Sequence, residues 1–117
     1  MYSSIAATRK ALHSGTTVLS IVEHFLKEID NRKELNAFLE VFENSALLKA
    51  KEVDDKISLG TAGKLAGMVI AIKDNICTDG VLTTCSSRML QNFVPPYDAT
   101  VIAKLRVQDY MLLGKTN

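Results

Sequence analysis

Gly67-Met68-Val69-Ile70-Ala71-Ile72-Lys73-Asp74-Asn75 carries the strongest structural signal in this chain. A short apolar run rich in β-branched residues has the composition of a strand buried on both faces. It ends abruptly in a lysine. Asp74 and Asn75 follow at once, where a strand gives way to a turn. An ammonium at the carboxyl end of an apolar strand is costly to dehydrate. The residues leave two readings open for Lys73. Its side chain reaches into water, as most lysines do, or it is kept as a general base for a hydroxyl nucleophile. A free lysine titrates near about 10.4, whereas a base working near neutrality needs roughly 7 to 8. Burial beside an apolar strand supplies a shift in that direction. Asp74 would oppose it if its carboxylate faced the amine, but strand alternation sends neighbouring side chains to opposite faces.

On the N-terminal side, Ser3 to Leu12 reads as a short helix stopped by Ser14-Gly15. A second helix starts at Thr16 or Thr17, with Val18, Ile21, Val22, Phe25, Leu26 and Ile29 on one stripe. Asn31 to Glu34 breaks it, and Ala37 to Phe42 has strand composition. Asn44 or Ser45 is the expected cap of a third helix, with Ala46, Ala50, Val53 and Ile57 facing inward. Gly60 to Gly67 is a glycine-punctuated loop. On the C-terminal side, a short strand is expected over Val81 to Thr84 and a helical turn over Ser86 to Leu90. Val94-Pro95-Pro96-Tyr97 reads as an extended connection. Asp98 is the expected cap of a helix through Val101, Ile102 and Leu105, and Tyr110 to Leu113 reads as the last strand. Alternating helix and strand predict an α/β class with some parallel pairing. Lys115-Thr116-Asn117 follows that strand directly, which suggests an N-terminal piece of something longer.

The chain has 117 residues, 47% of them hydrophobic, and a formal net charge of +1. That suits one small domain with a core. It gives no sign of a dedicated nucleic-acid surface, and no apolar run is long enough for a membrane helix. Cys77 and Cys85 read as reduced thiols of a cytoplasmic protein. His13 and His24 read as residues of solvated helix surfaces, and no residue is assigned to a metal or a cofactor.

Two apparent phosphate loops are rejected. Gly63-Lys64 has Ser58 where the first glycine should stand and Leu65 in place of Ser or Thr. Gly114-Lys115-Thr116 has Asp109 at its first-glycine position and no helix to aim at a phosphate. The hydroxyls of Thr83-Thr84-Cys85-Ser86-Ser87 are possible nucleophiles, but small polar residues in a row usually cap and turn.

Taken together, LAGMVIAIKDNICTDGVLTTCSS, then FVPPYDATVIAKL and LLGKTN, resembles the amidase signature family, within it the branch that serves tRNA-dependent amidotransferases as their A subunits. The resemblance is strong over residues 65–117 and looser over 3–59. It implies a mixed β-sheet covered by helices, only part of which fits in this length. Residues 1–60 would be a helical N-terminal region and 61–117 the start of the α/β/α core. Lys73 matches the family's catalytic lysine, which works through a bridging serine on an acylating serine. Both serines lie downstream of KTN in the family, and Ser86 and Ser87 do not match them, so these residues alone would be inactive. Val69 stands where the family commonly has proline. The resemblance further implies glutamine, or sometimes asparagine, as amide donor. The partners would be the B and C subunits of a heterotrimer, with ATP and magnesium used by a partner on mischarged tRNA. A stand-alone amidase of the same family and a non-catalytic interaction module are the alternatives.

Overall fold

The computed structural model describes residues 2–117. Along the chain lie α1 (Ile5–His13), α2 (Val18–Asn31), β1 (Phe38–Val41), α3 (Glu43–Leu59), β2 (Val69–Lys73), α4 (Thr100–Arg106) and β3 (Met111–Thr116). Short 3-10 turns occupy Lys33–Leu35 and Arg88–Leu90. The strands form one mixed sheet in the order β1-β3-β2, with β1 antiparallel and β2 parallel to β3. The α/β class with a mixed, helix-covered sheet is what the sequence predicts.

The helix starts follow capping chemistry. The Ser4 hydroxyl accepts from the Ala7 N–H and the Thr17 hydroxyl from the Ser20 N–H, each satisfying a first-turn donor that no helical carbonyl can reach. α2 also has an outside cap. The Asp54 carboxylate of α3 accepts from the Val18 and Leu19 N–H groups at 2.7 and 3.1 Å. A negative group there meets the positive end of the helix dipole and locks α2 to α3.

The predicted stripe of α2 is the core. Val18 and Val22 pack with Ala46, Ala50 and Val53 of α3 and with Met111 and Leu113 of β3, with Phe25, Leu26 and Ile29 half-buried against them. A second cluster on the opposite face joins Ile72, Ile102 and Tyr110. β3 therefore has helices on both sides, as a strand with a parallel neighbour requires. Gly114 belongs to this crowding. A Cβ there would stand 2.4 Å from the Glu40 carbonyl oxygen and 2.7 Å from the Phe38 ring.

Several expectations are corrected. The reading of Met68 to Ile72 as a strand buried on both faces gives way to an edge strand, β2, in which Ile72 alone is fully buried while Ala71 and Lys73 are exposed. β3 is the central strand and runs on to Thr116, so Gly114 and Lys115 lie inside it. α3 starts from Phe42 without a side-chain cap, because the Phe42 N–H is used by the Leu113 carbonyl and the chain passes directly from sheet to helix. Ile57 is 40% exposed, one turn beyond the end of the packed interface. Asp98 does not cap α4. Arg106 and the Asp79 N–H claim its carboxylate, which ties the loop to the helix. Val81 to Thr84 forms no strand. An isolated bridge joins Thr78 and Val81, and the Thr83 and Thr84 backbones bond to Phe93 and Asp74 instead. His24 is half-buried, edge-on to the Tyr2 and Phe25 rings.

Candidate active site at the carboxyl ends of the parallel strands

Lys73 is the last residue of β2 and pairs in register with Thr116 of β3. Its side chain is exposed, and it makes no salt bridge among the described residues. Alternation places it on the face of β2 that carries Val69 and Ala71. Those two residues line an open groove of about 690 Å³ with Phe25, Ile29, Phe38 and Val41. Lys73 is not among the residues that line this groove; it stands at the carboxyl end of its strand, the end at which open α/β sheets bind ligands.

Asp74 lies on the other face and is 4% exposed. Its carboxylate accepts from the Thr84 hydroxyl and from the Thr84 N–H at 3.1 Å. Its own N–H donates to the Thr116 carbonyl at 2.7 Å, which extends the β2–β3 ladder past Lys73. Lysine and aspartate, adjacent in sequence, are thus separated by the sheet.

The lysine that meets Asp74 is Lys115, which is 1% exposed. Its Nζ donates to the Ile76 carbonyl at 3.0 Å and to Thr83 Oγ1 at 3.2 Å, and lies 3.9 Å from Asp74 Oδ1. Burial pushes this ammonium below its ordinary range, and the Asp74 carboxylate opposes the shift. One buried cation therefore gathers three points of the loop that leaves β2. The register explains how it gets there. Ile70 and Ala71 are successive on β2 but face Leu112 and Gly114, so Leu113 is an extra residue on β3. The bulge places Lys115 beside Ile72 rather than on the face of Met111 and Leu113. Sequence reasoning missed this group. The apolar run before Lys115 was the available signal.

The hydroxyl run is structural here. Thr83 donates to the Val81 carbonyl while accepting from Lys115, Thr84 donates to Asp74, and Ser87 caps the 3-10 turn. Cys85 and Ser86 both adopt left-handed backbone, at φ 51° and 57°, a conformation costing roughly 1–2 kcal/mol per residue for L side chains. The Cys85 N–H bond to the Asp74 carbonyl at 2.9 Å and the Ser86 Oγ bond to Asn117 Oδ1 at 2.7 Å hold that turn. Both cysteines are free, and no group of three or more His, Cys, Asp or Glu residues suits a metal among the described residues. No described helix is long and apolar enough to cross a membrane.

Residues 20–117 match the family described as Amidase. The chain belongs to the amidase signature family. It is 58% identical over 88 residues to the A subunit of a glutamyl-tRNA(Gln) amidotransferase from Clostridium acetobutylicum, covering 74% of this chain and 18% of that one. Against the protein of the same kind from Thioalkalivibrio sulfidiphilus the identity is 46% over 116 residues, covering 97% and 24%. Among solved structures, the peptide amidase from Stenotrophomonas maltophilia superposes with a TM-score of 0.89 at 29% identity, over 99% of this chain and 25% of that one. The chain thus spans about a fifth to a quarter of the length of these relatives.

Proposed function

We propose that this chain supplies Lys73 as the general base of a glutamine-hydrolysing amidase, the A subunit of a tRNA-dependent amidotransferase. The observation that carries the reading is the position of Lys73. An amine free of ion pairs stands at the carboxyl end of a strand in a chain 46–58% identical to such subunits. In the proposed reaction the neutral amine takes a proton through a bridging serine from the acylating serine. That oxygen attacks the glutamine carboxamide carbon, and ammonia leaves with a proton returned along the same relay. Water then releases glutamate from the acyl-enzyme. The B subunit would receive the ammonia, spending ATP with magnesium to activate glutamate or aspartate on mischarged tRNA. The C subunit would bridge the two, and the complex would work in the cytoplasm.

Neither serine of that relay is among these 117 residues, so by themselves they should not turn over glutamine. The test joins residues 1–117 to the remaining sequence of the Clostridium acetobutylicum relative, co-expressed with that organism's B and C subunits. Glutamine hydrolysis should be measurable. Lys73→Ala should lower kcat by at least about 10²-fold, the lower end of what a positioned base contributes. Full activity in Lys73→Ala would sink the assignment.

A further inference from the structure

Lys73 and Asp74 are neighbours in sequence at the end of β2, and strand alternation starts their side chains off toward opposite faces. They do not pair. The Asp74 carboxylate is engaged on the far face by the Thr84 hydroxyl and N–H, with the Lys115 ammonium 3.9 Å away. The same ammonium is fixed by the Ile76 carbonyl and Thr83 Oγ1. The other ionisable groups around it are Cys77 and Cys85. No second carboxylate competes for it among the described residues. The geometry points to Lys115 as a positioning residue: it holds the Asp74 carboxylate on the face opposite Lys73, so that the base beside it has no ion-pair partner.

The physical consequence is specific. A carboxylate within about 4–6 Å of an amine favours the ammonium and raises the pH at which the amine becomes free. A buried carboxylate that has lost its cation is left uncompensated. With Lys115 gone, the cation nearest to Asp74 along the chain is Lys73. Lys115 thereby keeps a carboxylate away from the proposed base. This role rests on the reading of Lys73 as the base, but the segregation itself is a property of these residues and can be measured without catalysis.

The experiment uses the 117-residue chain and acetic anhydride as the probe. The acylation rate of each lysine is read by peptide mass spectrometry across pH, with exposed Lys51 and Lys104 as internal references. In Lys115→Met the Lys73 profile should move up by roughly one pH unit, which reads as about tenfold slower acylation of Lys73 relative to Lys104 at pH 8. The double variant Lys115→Met/Asp74→Asn should return Lys73 to its original rate, a reversal that a merely loosened loop would not produce. Asp74→Asn alone should leave Lys73 unchanged. An unaltered Lys73 ratio in Lys115→Met overturns the proposal, as does a double variant that stays slow. If Lys115→Met loses its helical circular dichroism, Asp74→Asn decides alone. Faster acylation of Lys73 would mean that Asp74 already faces it, and the proposal falls. Because the readout is acylation, failure here is separable from failure of the glutaminase reading, which Lys73→Ala in the assembled enzyme tests.

Discussion

Two lysines sit near the carboxyl ends of two neighbouring parallel strands in this molecule, and they have opposite fates. Lys73 closes Met68-Val69-Ile70-Ala71-Ile72 and stands in water. Lys115 closes Tyr110-Met111-Leu112-Leu113-Gly114 and is sealed from it. Their local sequences are nearly interchangeable, five residues without a charge and then an ammonium. The surroundings differ. β2 is an edge strand, so its terminal side chain has open space on one side. β3 lies between β1 and β2, with helices over both faces, so its side chain must find partners inside. Of the two readings open for Lys73, exposure holds there, and the burial of the other is found at Lys115. A buried lysine here serves as a tether, and the exposed one is the candidate for chemistry.

The largest measurable difference between the two lysines should be in stability. Lys115→Met leaves the Asp74 carboxylate buried without its cation, so the urea midpoint should fall by an amount worth about 3 kcal/mol. Adding Asp74→Asn should recover much of that. A loss below roughly 0.5 kcal/mol would erase the contrast by showing that the tether is dispensable.

A smaller effect is expected from alkaline titration. Burial holds the folded Lys115 below the ordinary lysine range, with the Asp74 carboxylate in opposition. Just below the ordinary value of about 10.4, the unfolded chain therefore binds more protons at this site than the folded one. Stability contributed by the site should rise with pH through that window. Urea midpoints measured at several alkaline pH values should show the rise in the unaltered chain and in Lys73→Met, and lose it in Lys115→Met. The same slope in all three would remove Lys115 as its source.

The smallest effect is expected at the other lysine. Lys73→Met removes an exposed side chain with no salt bridge, so stability should stay within about 0.5 kcal/mol. A larger loss in urea denaturation would mean that Lys73 has a structural role, against its assignment to chemistry.

Much of the fold was legible. The Thr17 cap, the α2 stripe from Val18 to Ile29 and the inward Ala46, Ala50 and Val53 follow from helical periodicity alone, because one helix face repeats regardless of what covers it. The errors fell where a side chain had more than one available partner. Asp98 has the chemistry of a helix cap but is taken by Arg106, and Phe42 begins α3 because its N–H serves the sheet. Of the candidate site, Lys73 at a strand end was readable from its own neighbours. The Lys115–Asp74 pair was not, since its members are forty-one positions apart and meet only across a strand pair.

Local periodicity and closely spaced motifs were enough to locate most of the helices and strands, to assign the α/β class and to point to the family. They were silent on which strand is central, and hence on which lysine is buried. Strand order settles that, together with one extra residue, Leu113, which turns Lys115 onto the face of Ile72. Burial depends on what neighbouring elements leave uncovered, and two segments of almost identical local chemistry carry no record of their neighbours.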